Sequence, residues 1–383
     1  MTGRPAYRGL TWDHPRGYRA LEAAARAATD DLDLAWDRQP LEGFEAAPIG
    51  DLARRYDLIV IDHPHVGDVA AAGCLLPLDT LFGQDELMAW RAASVGESFA
   101  SYRYGGKQWA LPLDAATQVA AYRADLLGDD GPPRHWQAVI DLAARKPVAL
   151  SIAGPHAVLT FFSLCVALGE APASRDPERL IETDTGAAAL EIIAAIFRRM
   201  PTGIADKNPI GILETMATHR DIAYCPLVYG YVTYAVGSGN RGAMTFADVP
   251  VAATNGPLGS TLGGTGVAVS RRADVTPALT AHLRYLMNAS TQRGFIPRHD
   301  GQPSARAAWR DHGVNEAAGG FYGDTLETIE AAWVRPRFPG YIAFQADAAA
   351  ALRRALDEGT PHRRVVEMLQ GLYRAHRRPG DEN

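Results

Sequence analysis

Three short apolar runs, residues 7–12, 32–36 and 56–62, alternate with two stretches of helical character, residues 17–29 and 48–55. Parallel strands cannot be joined by a tight turn and need a crossover, most often a helix. This βαβαβ alternation therefore predicts a parallel sheet flanked by helices. The run Leu58-Ile59-Val60-Ile61 shows no polar alternation, as expected of a strand covered on both faces. Open α/β sheets bind ligands beyond the carboxyl ends of their strands. Asp13-His14-Pro15-Arg16 follows the first run and His63-Pro64-His65 the third, so both turns are expected to face one cleft.

Further along, residues 107–123 read as one long strand able to pass from one lobe into another. A second α/β unit follows, with a helix over 133–145 and a strand over 148–152. Gly154-Pro155-His156 then opens an apolar helix running to 168, with Pro in the first turn. Residues 187–200 carry Leu190, Ile193, Ala194 and Phe197 at helical spacing. Residues 221–235 predict a strand and a tyrosine-rich turn. Residues 246–251 and 259–270 read as the return to the first lobe, and 277–288 as a helix. The last quarter predicts a helix near 325–333, a linker over 334–341 and two more helices. The final helix has Thr360 as N-cap and Pro361 after it.

A chain of 383 residues exceeds the usual size of a single core, so two domains are expected. A formal net charge of -6 and the lack of a Lys/Arg run argue against a nucleic-acid partner. The three cysteines, Cys74, Cys165 and Cys225, lie in apolar surroundings and read as buried free thiols, which fits a reducing compartment. The opening MTGRPAYRGLTWDH lacks an apolar h-region. The chain as written is therefore expected to be cytoplasmic, and periplasmic or extracellular if the true start lies upstream.

Three segments carry a family resemblance: residues 56–79 (YDLIVIDHPHVGDVAAAGCLLPLD), 106–127 (GKQWALPLDAATQVAAYRADLL) and 222–234 (IAYCPLVYGYVTY). They resemble the extracellular solute-binding proteins of family 1, the maltose-binding-protein-like group. The resemblance implies an α/β, two-lobed type II periplasmic-binding-protein-like fold with a cleft between lobes joined by crossing strands. It implies lobe one over residues 1–115 and 257–303, and lobe two over 116–256 and 304–383. The implied function is to enclose a small polar solute, a carbohydrate or related compound, for an ABC-type importer whose membrane permease would be the partner. A monomer is expected, with no cofactor. A cytoplasmic enzyme acting on a small metabolite with the same fold is the alternative, and the residues favour binding over catalysis.

The expected ligand-binding residues sit at strand ends. Trp12, Asp13, His14 and Arg16 come from the first turn, and His63 and His65 from the third. Asp114 and Thr117 come from the long strand, and His156, Tyr229 and Tyr231 from the second unit. Gly264 and Thr265 lie on the returning stretch, and Tyr322 and Arg335 near the C-terminus. Aromatic faces stack on the apolar faces of sugar rings. Carboxylates and guanidinium groups bond hydroxyls or anions, so the Arg and His content equally suits a carboxylate ligand.

Sharper chemistries fit less well. His63-Pro64-His65 with Asp62 offers ligands of the right type for zinc, but in a rigid turn rather than at helical spacing, and no metal is expected. The thiaminase I family resembles this fold and uses a cysteine nucleophile. Cys225 is the candidate here, yet no Cys/His signature surrounds it. The glycine-rich stretch 256–266 (GPLGSTLGGTG) is followed by a strand pattern and no Gly-Lys-Ser/Thr. Close backbone packing between lobes explains it better than a phosphate loop.

Overall fold

The computed structural model describes residues 4–28, 30–128, 131–237, 242, 244–378 and 380–381. Strands β1 (Ala6–Trp12), β2 (Asp33–Gln39) and β3 (Leu58–Ile61) pair in parallel, in the order β2-β1-β3. β4 (Arg103–Tyr104) and β5 (Lys107–Gln108) form a small separate ladder. The long strand β6 (Leu111–Tyr122) carries two ladders in succession. Residues 111–117 pair antiparallel with β9 (Leu262–Val269), which in turn pairs with β3. Residues 118–122 pair with β7 (Tyr224–Tyr229) and β8 (Thr245–Ala247). One strand thus belongs to both lobes of an α/β architecture. The parallel sheet expected at the N-terminus is present, and the ladders that join it to the rest are antiparallel.

Burial follows the sequence pattern. Leu58, Ile59, Val60 and Ile61 are all shut off from solvent, as their unbroken apolar run requires. The helix Pro15–Ala27 lays Ala20, Leu21 and Ala24 against the sheet. The C-terminal helices Tyr341–Glu358 and His362–His376 pack on each other, and the latter packs on Thr183–Phe197. Val365, Val366, Leu369 and Tyr373 are the buried stripe of the last helix. Among the described residues no helix is long and apolar enough to cross a membrane.

Several expectations shift. The first helix begins at Pro15, so Arg16 is helical rather than part of a loop. His14 is the N-cap, its Nδ1 accepting from the Arg16 amide at 3.2 Å. Thr29, the expected end of that helix, lies outside the described residues. Residues 148–152 form no strand: Val148 makes only an isolated parallel bridge to Tyr224, supported by the bonds Ala149 N to the Tyr224 carbonyl and Ala223 N to the Pro147 carbonyl. The stretch at 245–247 pairs with residues 120–122, so the return crossing begins only at Leu262. Pro155 and Pro361 are N-caps rather than first helical residues. The helices Leu41–Ala46 and Pro209–Thr218 were not expected. Cys165 and Cys225 are buried free thiols, whereas Cys74 is only half-buried.

The glycine-rich stretch owes its composition to close approach. Gly264 holds φ at +94°, and a Cβ there would lie 2.4 Å from the Asp114 carbonyl oxygen. Gly263 lies under the Tyr229 ring, with only 2.5 Å for a Cβ. Gly264→Ala is expected to cost about 1–3 kcal/mol through the left-handed backbone and the clash with β6. A urea titration that shows no shift of the unfolding midpoint would contradict this.

Candidate functional site

The ends of β1, β3 and β7 converge with the start of β9 on one cleft-like cavity of about 60 Å³. Trp12 comes from the end of β1 and Arg16 from the first turn of the following helix. Asp62 follows β3, Tyr229 ends β7, and Tyr231 lies two residues beyond it. Gly263, Gly264 and Thr265 contribute from β9, and His156 from the start of its helix. Arg335 and Gln345 close the cavity from the C-terminal segment.

Two buried ion pairs brace this cavity. Arg16 Nε donates to Asp114 Oδ2 at 2.7 Å, and Nη2 donates to Oδ1 of the same carboxylate. Arg16 Nη1 donates to the Gly230 carbonyl at 2.9 Å. Its guanidinium also lies 4.6 Å from the Tyr231 ring centroid and 5.6 Å from that of Trp12. Burial opposes the charge on Arg16, but the Asp114 carboxylate outweighs it and raises the pKa. Arg335 Nη2 donates to both Asp62 oxygens, at 2.9 and 2.7 Å, and Nη1 donates to Gln345 Oε1 at 3.1 Å. Burial pushes the Asp62 carboxyl up, but Arg335 and the hydrogen bonds of His63 and Arg335 hold it well below the usual carboxylate range. The two parallel bonds of the Arg16–Asp114 pair fix the guanidinium plane as well as its charge, whereas Arg335 meets Asp62 through one nitrogen.

Other polar groups on the cavity wall are unpartnered. Trp12 Nε1, both ring nitrogens of His156, Tyr229 Oη and Arg335 Nε are buried with no hydrogen bond. His156 Nε2 lies 3.4 Å from Glu45 Oε1, close enough for ion pairing if the ring is protonated. Buried polar groups are nearly always satisfied. Several orphans around one void mark a surface built to be completed by something else.

The cavity brings together eight of the fifteen expected residues: Trp12, Arg16, His156, Tyr229, Tyr231, Gly264, Thr265 and Arg335. Asp114 acts one layer back, through Arg16. His14 stacks on Trp12, with ring centroids 5.2 Å apart and planes at 10°, and faces a neighbouring recess with Tyr322. Tyr322 Oη donates to the Gly301 carbonyl at 3.3 Å. The remaining four lie elsewhere. Asp13 is exposed, 3.6 Å from Arg38. His63 and His65 are buried in the turn behind Asp62, because the chain folds into a helical turn at once and carries them inward. Thr117 bonds Ser260 and the Thr261 carbonyl inside the sheet. Leu41, Phe44, Glu45, Asp62 and Gln345 line the cavity without having been expected. The polar Gln345 on the apolar face of its helix was the available signal.

Cys225 has no nucleophilic setting. It is fully buried beside Ala121, with Sγ 3.7 Å from the Leu227 carbonyl oxygen, and burial pushes the thiol up to about 12. Among the described residues no group of three or more metal-type side chains is assembled.

The family profile described as "Bacterial extracellular solute-binding protein" matches residues 49–157. Solved structures match nearly end to end. A solute-binding protein from Agrobacterium radiobacter K84, in complex with ribitol, is 19% identical with a TM-score of 0.80, covering 97% of this chain and 98% of its own. Maltose-bound MalE3 of T. maritima is 16% identical with a TM-score of 0.81, covering 97% and 99%. A solute-binding protein of Agrobacterium vitis S4 with bound D-mannitol is 15% identical with a TM-score of 0.76, covering 99% and 100%.

His63 is held down to about 4, first by burial and then by the Arg335 charge, against about 6.5 in an unfolded chain. The unfolded state then binds more protons between these values, so stability is full above about pH 6.5 and falls as pH drops towards 4, by about 3 kcal/mol for this group. Burial holds His282 down to about 4 as well, with the same sign. Chemical denaturation at about pH 7 and about pH 5 is expected to show about 2 kcal/mol of this loss, with a smaller loss in His63→Gln; equal losses would contradict it. A thiol reagent is expected to label Cys74 in the native protein and Cys165 and Cys225 only after unfolding, and rapid native labelling of Cys225 would contradict the burial.

The chain therefore has the two-lobed fold of the bacterial extracellular solute-binding proteins, and over residues 49–157 its sequence matches that family.

Proposed function

We propose that this protein captures a small, uncharged, polyhydroxylated solute between its lobes, as the binding subunit of an ABC-type importer. The observation that carries the reading is the set of unpartnered donors and acceptors on Trp12, His156, Tyr229 and Arg335 around one aromatic-lined cavity. Hydroxyl groups both donate and accept, so a polyol or sugar completes such a set. Each buried arginine already has its own carboxylate, which favours a neutral ligand over a carboxylate. The ribitol, maltose and D-mannitol held by the similar structures are of the same class.

The cavity of about 60 Å³ holds only a few waters, each needing roughly 10–15 Å³. Small-molecule sites are commonly about 300–1,000 Å³, so the solute enters with the lobes apart. On this reading lobe one comprises residues 1–115 and 257–303, and lobe two residues 116–256 and 304–383, hinged where β6 and β9 cross. The protein acts as a monomer on the outer side of the membrane and delivers to a permease. A second reading, an enzyme on the same scaffold, rests on the Glu45–His156 contact, which could relay a proton.

Thermal-shift and calorimetric screening of pentitols, hexitols and mono- and disaccharides is expected to find a stabilising ligand. Trp12→Ala is expected to weaken it by about 1–3 kcal/mol and Tyr229→Phe by about 0.5–1.5 kcal/mol. Unchanged affinity in both variants places binding elsewhere, and chemical conversion of the ligand on incubation supports the enzyme.

A further inference from the structure

A groove of about 540 Å³ shares no lining residue with the cavity described above. Its volume falls in the range of roughly 300–1,000 Å³ common for small-molecule sites. One wall is a single helix face, because Gln84, Leu87, Met88 and Arg91 fall at i, i+3, i+4 and i+7 of the helix Gln84–Ala93. The other wall is the segment that runs through Phe99 and Arg103 to Gln108 in the β4–β5 ladder. Both walls are braced from behind. Arg337 Nη1 donates to the carbonyls of Ala100, Ser101 and Arg103 at 3.1, 3.2 and 2.9 Å. The Phe82 ring, which also lines the groove, is held edge-on by Trp90 at 5.0 Å.

Three chemistries meet in this groove. The first is apolar: Phe82, Leu87 and Phe99 are buried, and Met88 is 52% exposed. The second is a stranded acceptor. Gln108 is buried, and its Nε2 donates to the Phe99 and Ala110 carbonyls at 2.9 and 2.8 Å. Both amide hydrogens are thereby spent, and Oε1 is left buried with no donor. Buried acceptors are rarely left so. The third is unspent positive charge. Arg91 and Arg103 are exposed and form no ion pair among the described residues, unlike the two arginines of the cavity. The carboxylate among the lining residues, Asp79, accepts from the Gln108 amide at 2.7 Å. The groove therefore keeps a net positive rim over an apolar floor.

We propose that this groove is a second ligand site, which takes a small aromatic carboxylate bearing a ring hydroxyl. The ring lies on the apolar floor. The carboxylate pairs with Arg91 and Arg103, and the hydroxyl donates to Gln108 Oε1. The site is separate from the cavity between the lobes and does not depend on what that cavity holds.

Calorimetric titration with 3- and 4-hydroxybenzoate, benzoate and 4-hydroxybenzyl alcohol tests it. The better hydroxybenzoate is expected to bind at least about tenfold tighter than benzoate, which lacks the donor for Gln108, and than 4-hydroxybenzyl alcohol, which lacks the carboxylate. Arg91→Gln and Arg103→Gln, both at exposed positions, are each expected to weaken it at least about fivefold. Met88→Glu, which sets a like charge beside the ligand, is expected to abolish binding, and added salt to weaken it. Binding by neither hydroxybenzoate overturns the proposal. Equal affinity for hydroxybenzoate and benzoate overturns it as well. Affinity unchanged in both arginine variants but lost in Trp12→Ala places the compound between the lobes and also overturns it.

Discussion

Everything in this molecule hangs on the twelve residues of β6. Its backbone groups are committed first to β9 and then to β7 and β8. Buried amide and carbonyl groups must be paired, so neither part can slide along this strand without abandoning a ladder. A register shift separates the two parts of the pairing with β7, between Val119 and Ala121. The strand's side chains are almost all buried, which explains the small residues Ala115, Ala116, Ala120 and Ala121 where other elements press against it.

Around that strand, the site is an arrangement of buried charge. Taking a guanidinium and a carboxylate out of water is costly unless the geometry is close to ideal and the leftover groups are bonded. Arg16 meets this condition with a bidentate carboxylate, a backbone carbonyl and two ring faces. Arg335 meets it less fully, since its Nε has no partner. Replacing either carboxylate by a neutral group would strand a charge in the interior, a change that typically costs about 3–5 kcal/mol. These pairs therefore set where the walls of the cavity stand, while the aromatic rings set what those walls are made of.

The scaffold was legible because it is written in period and run length. The unbroken Leu58–Ile61 run and the alanine-rich helix after β1 could hardly be read otherwise. The lining of the candidate site was legible where strand ends meet the cavity, as with Trp12 and Tyr229. It was illegible where a local turn decides direction. His63 and His65 follow the right strand, but a helical turn begins at His63 and rotates both into the interior. Phe44 and Glu45 reach the cavity from a six-residue helix between prolines, too short to show a period. Gln345 and Arg335 arrive from far along the chain, and the link between Arg335 and Asp62 spans 273 positions. Such pairings are set by the closing of the tertiary structure, and no local pattern encodes them.

The internal neutralisation of both arginines has a consequence for the medium in which the cavity works. Dissolved ions act on fields that reach into solvent, over about 8–10 Å at moderate ionic strength. Here each guanidinium spends its field on a carboxylate within hydrogen-bonding distance, inside the protein. A neutral molecule entering this space meets directional hydrogen bonds and ring faces but little long-range attraction. For a neutral solute of the kind proposed above, arrival is governed by diffusion and shape rather than by electrostatic steering, and ionic strength has little to screen.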